Sequence, residues 1–161
     1  MKESMVFQKR SENYQLHKKV YGQPIPQSEG FGETKPKEMM PRETEEMLLE
    51  KLSNFESTRQ FTEKGLSLST LAGRVKTNTK YLSYVINKHK GKDFNSYINE
   101  LRVGFILAKM DEDHQYLQYK ISYLAEESGF SSHSKFSKVF KQITGDSPSV
   151  YMDSLKKLRE E

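Results

Sequence analysis

LAGRVKTNTKYLSYVINKHKGKDFNSY, residues 71–97, and LAEESGFSSHSKFSKVFKQITGDSPSVY, residues 124–151, are two versions of one pattern. Leu71, Ala72, Leu82, Val85, Ile86, Gly91, Phe94 and Tyr97 return 53 or 54 residues later as Leu124, Ala125, Phe136, Val139, Phe140, Gly145, Pro148 and Tyr151. The offset grows by one between the Ala pair and the Leu82/Phe136 pair, so the second copy carries one extra residue in its turn. Each copy reads as a short helix, a tight turn and a second helix. Two such units within a short span point to duplicated helix-turn-helix modules, and so to DNA.

Outward from the repeat, the chain reads as all-α. Residues 1–42 hold four of the five prolines, Pro24, Pro26, Pro36 and Pro41, and no sustained apolar period; they read as a largely unstructured linker with a short helical piece around Tyr14 to Val20. The DNA-binding domain is expected over residues 43–161, with about seven helices. Thr44 caps a first helix bearing Met47, Leu48, Leu52 and Phe55 at helical spacing, and Ser67 caps the next. The first helix-turn-helix spans about 66–91, with Asn78 as N-cap of its second helix and Gly91 as its end. Asp93 caps a long linker helix over 94–112, with Tyr97, Ile98, Leu101, Phe105 and Ala108 along one side. The second helix-turn-helix spans about 120–145, with Ser132 as N-cap, and a last helix over 147–159 takes Pro148 at its first position.

Apolar residues at 34% and charged residues at 30% fit a small helical domain with much solvated surface. Without Cys there are neither disulfides nor thiolate metal sites, and no run approaches the ~20 apolar residues of a membrane span. A net charge of +4 is modest for a nucleic-acid binder, but its distribution is not even. No acid stands between Glu63 and Asp93, where Lys64, Arg74, Lys76, Lys80, Lys88, Lys90 and Lys92 do. Between Glu127 and Asp146 the cations are Lys135, Lys138 and Lys141, again without an acid. Both windows contain the second helix of a unit, the element that must approach phosphates.

On that helix in the first copy, Leu82, Val85, Ile86 and His89 share an arc of about 100°, with His89 as a partly buried packing residue. Thr79, Lys80, Ser83, Tyr84 and Asn87 cover the opposite side. In the second copy Phe136, Val139, Phe140 and Ile143 face inward, and His133, Ser134, Ser137, Lys138 and Lys141 outward. Short hydroxyls, Lys, His, Asn and Tyr without a carboxylate suit base edges and phosphates. Lys76, Asn78, Lys88, Lys90, Ser132 and Lys135 flank these faces as expected phosphate contacts.

From Leu124 to Tyr151 the chain resembles the AraC/XylS family of bacterial transcription regulators, on Ile121, Ala125, Gly129-Phe130, Phe136, Phe140, Gly145 and Ser147-Pro148. With LSLSTLAGRVKTNTKYLSYVINKHKG as first unit and Arg102 opening the linker-helix pattern RVGFILAKM, the resemblance covers about residues 44–158. It implies two helix-turn-helix subdomains joined by a long central helix, promoter binding without cofactor or metal, and base reading by Thr79, Lys80, Ser83, Tyr84, His133, Ser134, Ser137 and Lys138. Duplex DNA and RNA polymerase are the implied partners. Two departures stand out. Lys76-Thr77 occupies the place of Gly129-Phe130, and the segment from Met110 to Ile121 is one residue longer than the usual pattern. No effector-binding domain is recognisable, so no small-molecule ligand is expected. INELRV and KISYLAEESGFSSHSKFS look like a subgroup whose domain follows a tetratricopeptide-repeat sensor and a transmembrane helix; residues 1–42 would then be a juxtamembrane linker and the domain cytoplasmic.

Catalysis finds no support in these residues. His17, His89, His114 and His133 are scattered, no metalloprotease, phosphate-loop or nucleophile-elbow pattern occurs, and Glu126-Glu127 read as solvated charges. The rival reading is a helical protein-interaction module for an acidic partner. The repeat discriminates, because successive grooves of a duplex require a second copy at fixed spacing and a protein surface does not.

Overall fold

A computed structural model of the chain describes residues 38–160, and over that span most of the α-helices start behind a side chain that caps them. Of the linker expected over residues 1–42, residues 1–37, with the short helix expected around Tyr14 to Val20, lie outside the described residues. Seven α-helices and no strand occur among the described residues: α1 Arg42–Ser57, α2 Leu68–Arg74, α3 Thr79–Lys90, α4 Phe94–Glu112, α5 Ile121–Glu127, α6 His133–Thr144 and α7 Pro148–Glu160. Single 3-10 segments at Gln60–Thr62 and His114–Gln118 complete the path. Ser67, Asn78, Asp93 and Ser132 each accept a hydrogen bond from the backbone N–H three residues on, the N-cap arrangement. Thr44 does not cap α1: the helix begins two residues earlier, behind Pro41, whose fixed backbone turns the chain into it without a side-chain cap. Met47 stands 49% exposed, and Leu48, Leu52 and Phe55 are the buried positions of α1.

The turns of the two units match despite their different sequences. Thr77 N–H donates to the Ala72 carbonyl at 2.9 Å, and Phe130 N–H to the Ala125 carbonyl at 2.9 Å. Lys76 takes φ +58° at the position where Gly129 takes φ +87°. The helix-turn-helix demands a left-handed residue here, and in the first unit a lysine bears its cost, roughly 1–2 kcal/mol. The inserted residue of the second unit is Ser131, which separates Phe130 from the N-cap Ser132.

α4 serves two cores from opposite sides. Phe94, Tyr97 and Ile98 enter a cluster with Leu48, Leu52, Leu71, Leu82 and Ile86, whereas Val103, Ile106, Leu107 and Met110 enter one with Leu124, Phe136, Phe140 and Met152. At about 100° per residue the two sets are centred roughly 180° apart. The single apolar stripe expected for this helix is therefore not what forms; Ala108, assigned to it, is exposed, and Leu101 and Phe105 are only half-buried. A helix shared between two subdomains must be apolar on one face at one end and on the other face at the other.

Glu126 is solvated as expected, although it carries an ion pair, and Glu127 is half-buried. Glu126 accepts from Lys64 Nζ at 2.9 Å, and Glu127 accepts from the Tyr116 hydroxyl at 2.6 Å, partners that folding brings from other elements. No helix among the described residues is long and apolar enough to cross a membrane.

Candidate nucleic-acid interface

α3 and α6 are equivalent helices of equal length, each opened by a capping side chain and closed by a left-handed glycine, Gly91 and Gly145. Their inner faces are sealed: Leu82, Val85, Ile86, Phe136 and Phe140 are fully buried. Packing of the inner face fixes the rotation of each helix about its axis, and so determines which residues look outward. Thr79, Lys80 and Asn87 on α3, and His133, Ser134, Lys138 and Lys141 on α6, are exposed; Ser83, Tyr84 and Ser137 are half-buried. Neither helix contains a carboxylate.

The flanking residues differ in how free they are. Asn78 and Ser132 spend an oxygen on the cap, which leaves the Asn78 amide N–H groups and the Ser132 hydroxyl proton to donate outward. Lys76 and Lys135 are exposed and Lys90 half-buried. Lys88 Nζ pairs with Glu45 of α1 at 2.8 Å and Lys90 Nζ with Glu56 at 2.7 Å. His89, expected as a partly buried packing residue, keeps its side chain 31% exposed but meets a carboxylate, with Nε2 2.5 Å from the same Glu45 oxygen. The reason is a neighbour that the helix's own pattern cannot reveal: α1 lies across the end of α3 and offers a carboxylate there, not apolar surface.

This pairing extends along the first acid-free window. Lys64 pairs with Glu126, Arg74 with Glu63 and Lys92 with Glu100, so five of its seven cations face carboxylates, leaving Lys76 and Lys80. In the second window Lys135, Lys138 and Lys141 make no ion pair among the described residues. Acid-free in sequence is thus not acid-free in space for the first unit, while the second unit's window lysines form no ion pair among the described residues. Glu45 is the residue that sequence reasoning missed. Its carboxyl is held below the usual range by the Lys88 hydrogen bond first and by His89 second. The Lys88–Glu45 and Lys90–Glu56 pairs are half-buried on the carboxylate side, at the protein surface, where an ion pair is worth on the order of 1 kcal/mol, little enough for a phosphate to replace the carboxylate.

A family model described as a helix-turn-helix domain matches residues 71–154. The TCP pilus virulence regulatory protein of Vibrio cholerae is 32% identical over 82 residues, which is 51% of this chain and 28% of that protein. The chain therefore spans 28% of the length of the curated relative it matches. Among solved structures, the C-terminal domain of AraT, a response regulator from Geobacillus stearothermophilus, superposes with a TM-score of 0.56 at 21% identity, over 67% of this chain and 84% of that one. A transcriptional regulator with an AraC-type DNA-binding domain from Chromobacterium violaceum does so with a TM-score of 0.56 at 19% identity, over 71% and 96%. ToxT from Vibrio cholerae O395 follows at a TM-score of 0.51 and 25% identity, over 74% of this chain and 41% of that one.

Proposed function

This chain belongs to the AraC-type family of helix-turn-helix transcription regulators, and from that premise we propose that it reads a bipartite DNA site, α3 in one major groove and α6 in the next. The observation that carries the reading is the pair of carboxylate-free outer faces on two equivalent helices, held by a shared helix of 19 residues. At 1.5 Å per residue α4 is roughly 28 Å long, comparable with the ~34 Å between successive major grooves on one side of a duplex. Thr79, Lys80, Ser83, Tyr84 and Asn87 would meet base edges in one groove, and His133, Ser134, Ser137, Lys138 and Lys141 in the other. Lys76, Asn78, Ser132 and Lys135 would hold phosphates, joined by Lys88 and Lys90 once these leave Glu45 and Glu56. Phosphate contacts set register and affinity; the base contacts carry the sequence preference.

Selection of bound duplexes from a random pool would supply the site, and spacing tests the geometry. Five base pairs inserted between the two subsites turn the second groove about half a turn away, so one unit must release or the DNA must distort. The expected loss of affinity is at least about tenfold, with protection of one subsite only. Full protection of both subsites at undiminished affinity would contradict the reading.

A further inference from the structure

The two units touch each other as well as the helix they share. Arg102 sits on α4 roughly midway in angle between its two buried faces and is only 8% exposed. Its Nε donates to the Phe61 carbonyl at 2.7 Å and Nη2 to the Glu63 carbonyl at 2.9 Å, the first within the 3-10 segment of the first unit and the second at its C-cap. The same guanidinium lies 5.7 Å from the ring centre of Phe130, in the turn of the second unit. Two neighbours tighten this seam. A Cβ on Gly129 would fall 2.2 Å from the Thr62 carbonyl oxygen, so the turn of the second unit abuts first-unit backbone. Lys64 crosses it to Glu126 at 2.9 Å.

From this geometry we propose that Arg102 is a positioning residue that locks the Phe61–Glu63 segment of the first unit against the Gly129–Phe130 turn of the second, fixing the angle between α3 and α6. α4 sets how far apart the units lie, but each packs on its own face of that helix and could pivot about it. A direct contact between the units removes that freedom. Arginine suits the task because its planar fork satisfies two carbonyls at once while its face rests on an aromatic ring; a lysine could reach one carbonyl and would not stack in the same way. A buried cation is costly to desolvate, and an apolar side chain would fill the space more cheaply, so its value lies in orientation rather than stability.

The proposal rests on the bipartite reading for its consequence, though not for its geometry. Residual dipolar couplings of the α3 and α6 amides in the free full chain address the geometry without DNA. The wild type should fit one alignment tensor across both helices. Arg102→Met should require two tensors, each unit still fitting well alone, with Arg102→Lys between them. On DNA, Arg102→Met should weaken binding to the two-subsite duplex by about tenfold or more, leave binding to single-subsite duplexes unchanged, and shrink the penalty of the five-base-pair insertion. A common tensor in Arg102→Met, or equal losses on single- and two-subsite duplexes, would overturn the clamp. If Arg102→Met does not fold, the tensors of Arg102→Lys combined with Lys64→Ala decide, a single shared tensor counting against it. Should the wild type bind no bipartite duplex, the tensors still decide the clamp while the proposed function falls.

Discussion

Glu45 holds Lys88 and His89 at the end of α3 at once, and what it does depends on its charge. Its carboxyl is depressed by Lys88 and His89, so the contact is present above the unfolded pKa of about 4.3 and is lost as pH falls through the lower folded value. Glu45→Gln should lower the melting temperature only modestly, since a near-surface pair is worth on the order of 1 kcal/mol and the Gln amide oxygen can still accept a hydrogen bond. It should also tighten binding to any duplex, by a factor that shrinks as salt rises; equal affinities at low salt would show that Lys88 is not held back. The outer and inner faces of α6 separate in the same way. Lys138→Ala or Ser134→Ala should alter preference at a few base pairs by about 1–3 kcal/mol per lost contact, with little change in melting. Phe136→Ala should remove roughly 3–5 kcal/mol of stability, because Phe136 is fully buried between Phe130 and Phe140. Urea denaturation and selection on base-substituted duplexes measure the two effects independently.

Elements depend on what surrounds their ends, as two left-handed glycines demonstrate. Gly145 has φ +89° and no atom within 4 Å of where a Cβ would stand, whereas Gly129, at φ +87°, has the Thr62 backbone there. Gly145→Ala should cost about 1–2 kcal/mol for the backbone conformation alone. Gly129→Ala should cost roughly 1–3 kcal/mol beyond that, because a peptide group rather than a flexible side chain must move. Equal losses in thermal denaturation would mean the seam between the units gives way easily. Lys76 shows the other side of this balance: at the equivalent turn of the first unit an exposed side chain is accommodated at φ +58°.

The whole molecule is electrostatically lopsided although its repeat is not. The second unit keeps its three window lysines unpaired among the described residues, and the first has most of its cations matched by carboxylates. If about six phosphates are neutralised in the complex, affinity should fall roughly a thousandfold between 50 and 200 mM salt. Replacing Lys135, Lys138 and Lys141 together with Ala should flatten the log–log salt slope by about 2–3. Replacing Lys88, Lys90 and Lys92 should flatten it less, because those lysines must first leave Glu45, Glu56 and Glu100. Salt titrations of both triple variants on one duplex decide it, and a reversed order would place the electrostatic anchor in the first unit.

The helices, their caps and the duplicated turn were legible in the residues because the causes are local: a capping oxygen acts three residues away, and an apolar stripe repeats every three or four. The repeat and the inner faces of α3 and α6 follow from such short-range rules, and Leu82 and Phe136 stand where they imply. What folding alone decided runs between elements distant in sequence. Lys64 meets Glu126 across 62 residues and His89 meets Glu45 across 44, separations over which no periodicity operates. The opposite faces of α4 were missed for the same reason, since one helix serving two cores averages its stripes away. Arg102 belonged to a recognisable pattern, yet its grip on Phe61, Glu63 and Phe130 exists only once both units have closed around it. Short-range chemistry determined the elements; the joint and the charge balance on the outer faces of α3 and α6 came from the contacts those elements make with one another.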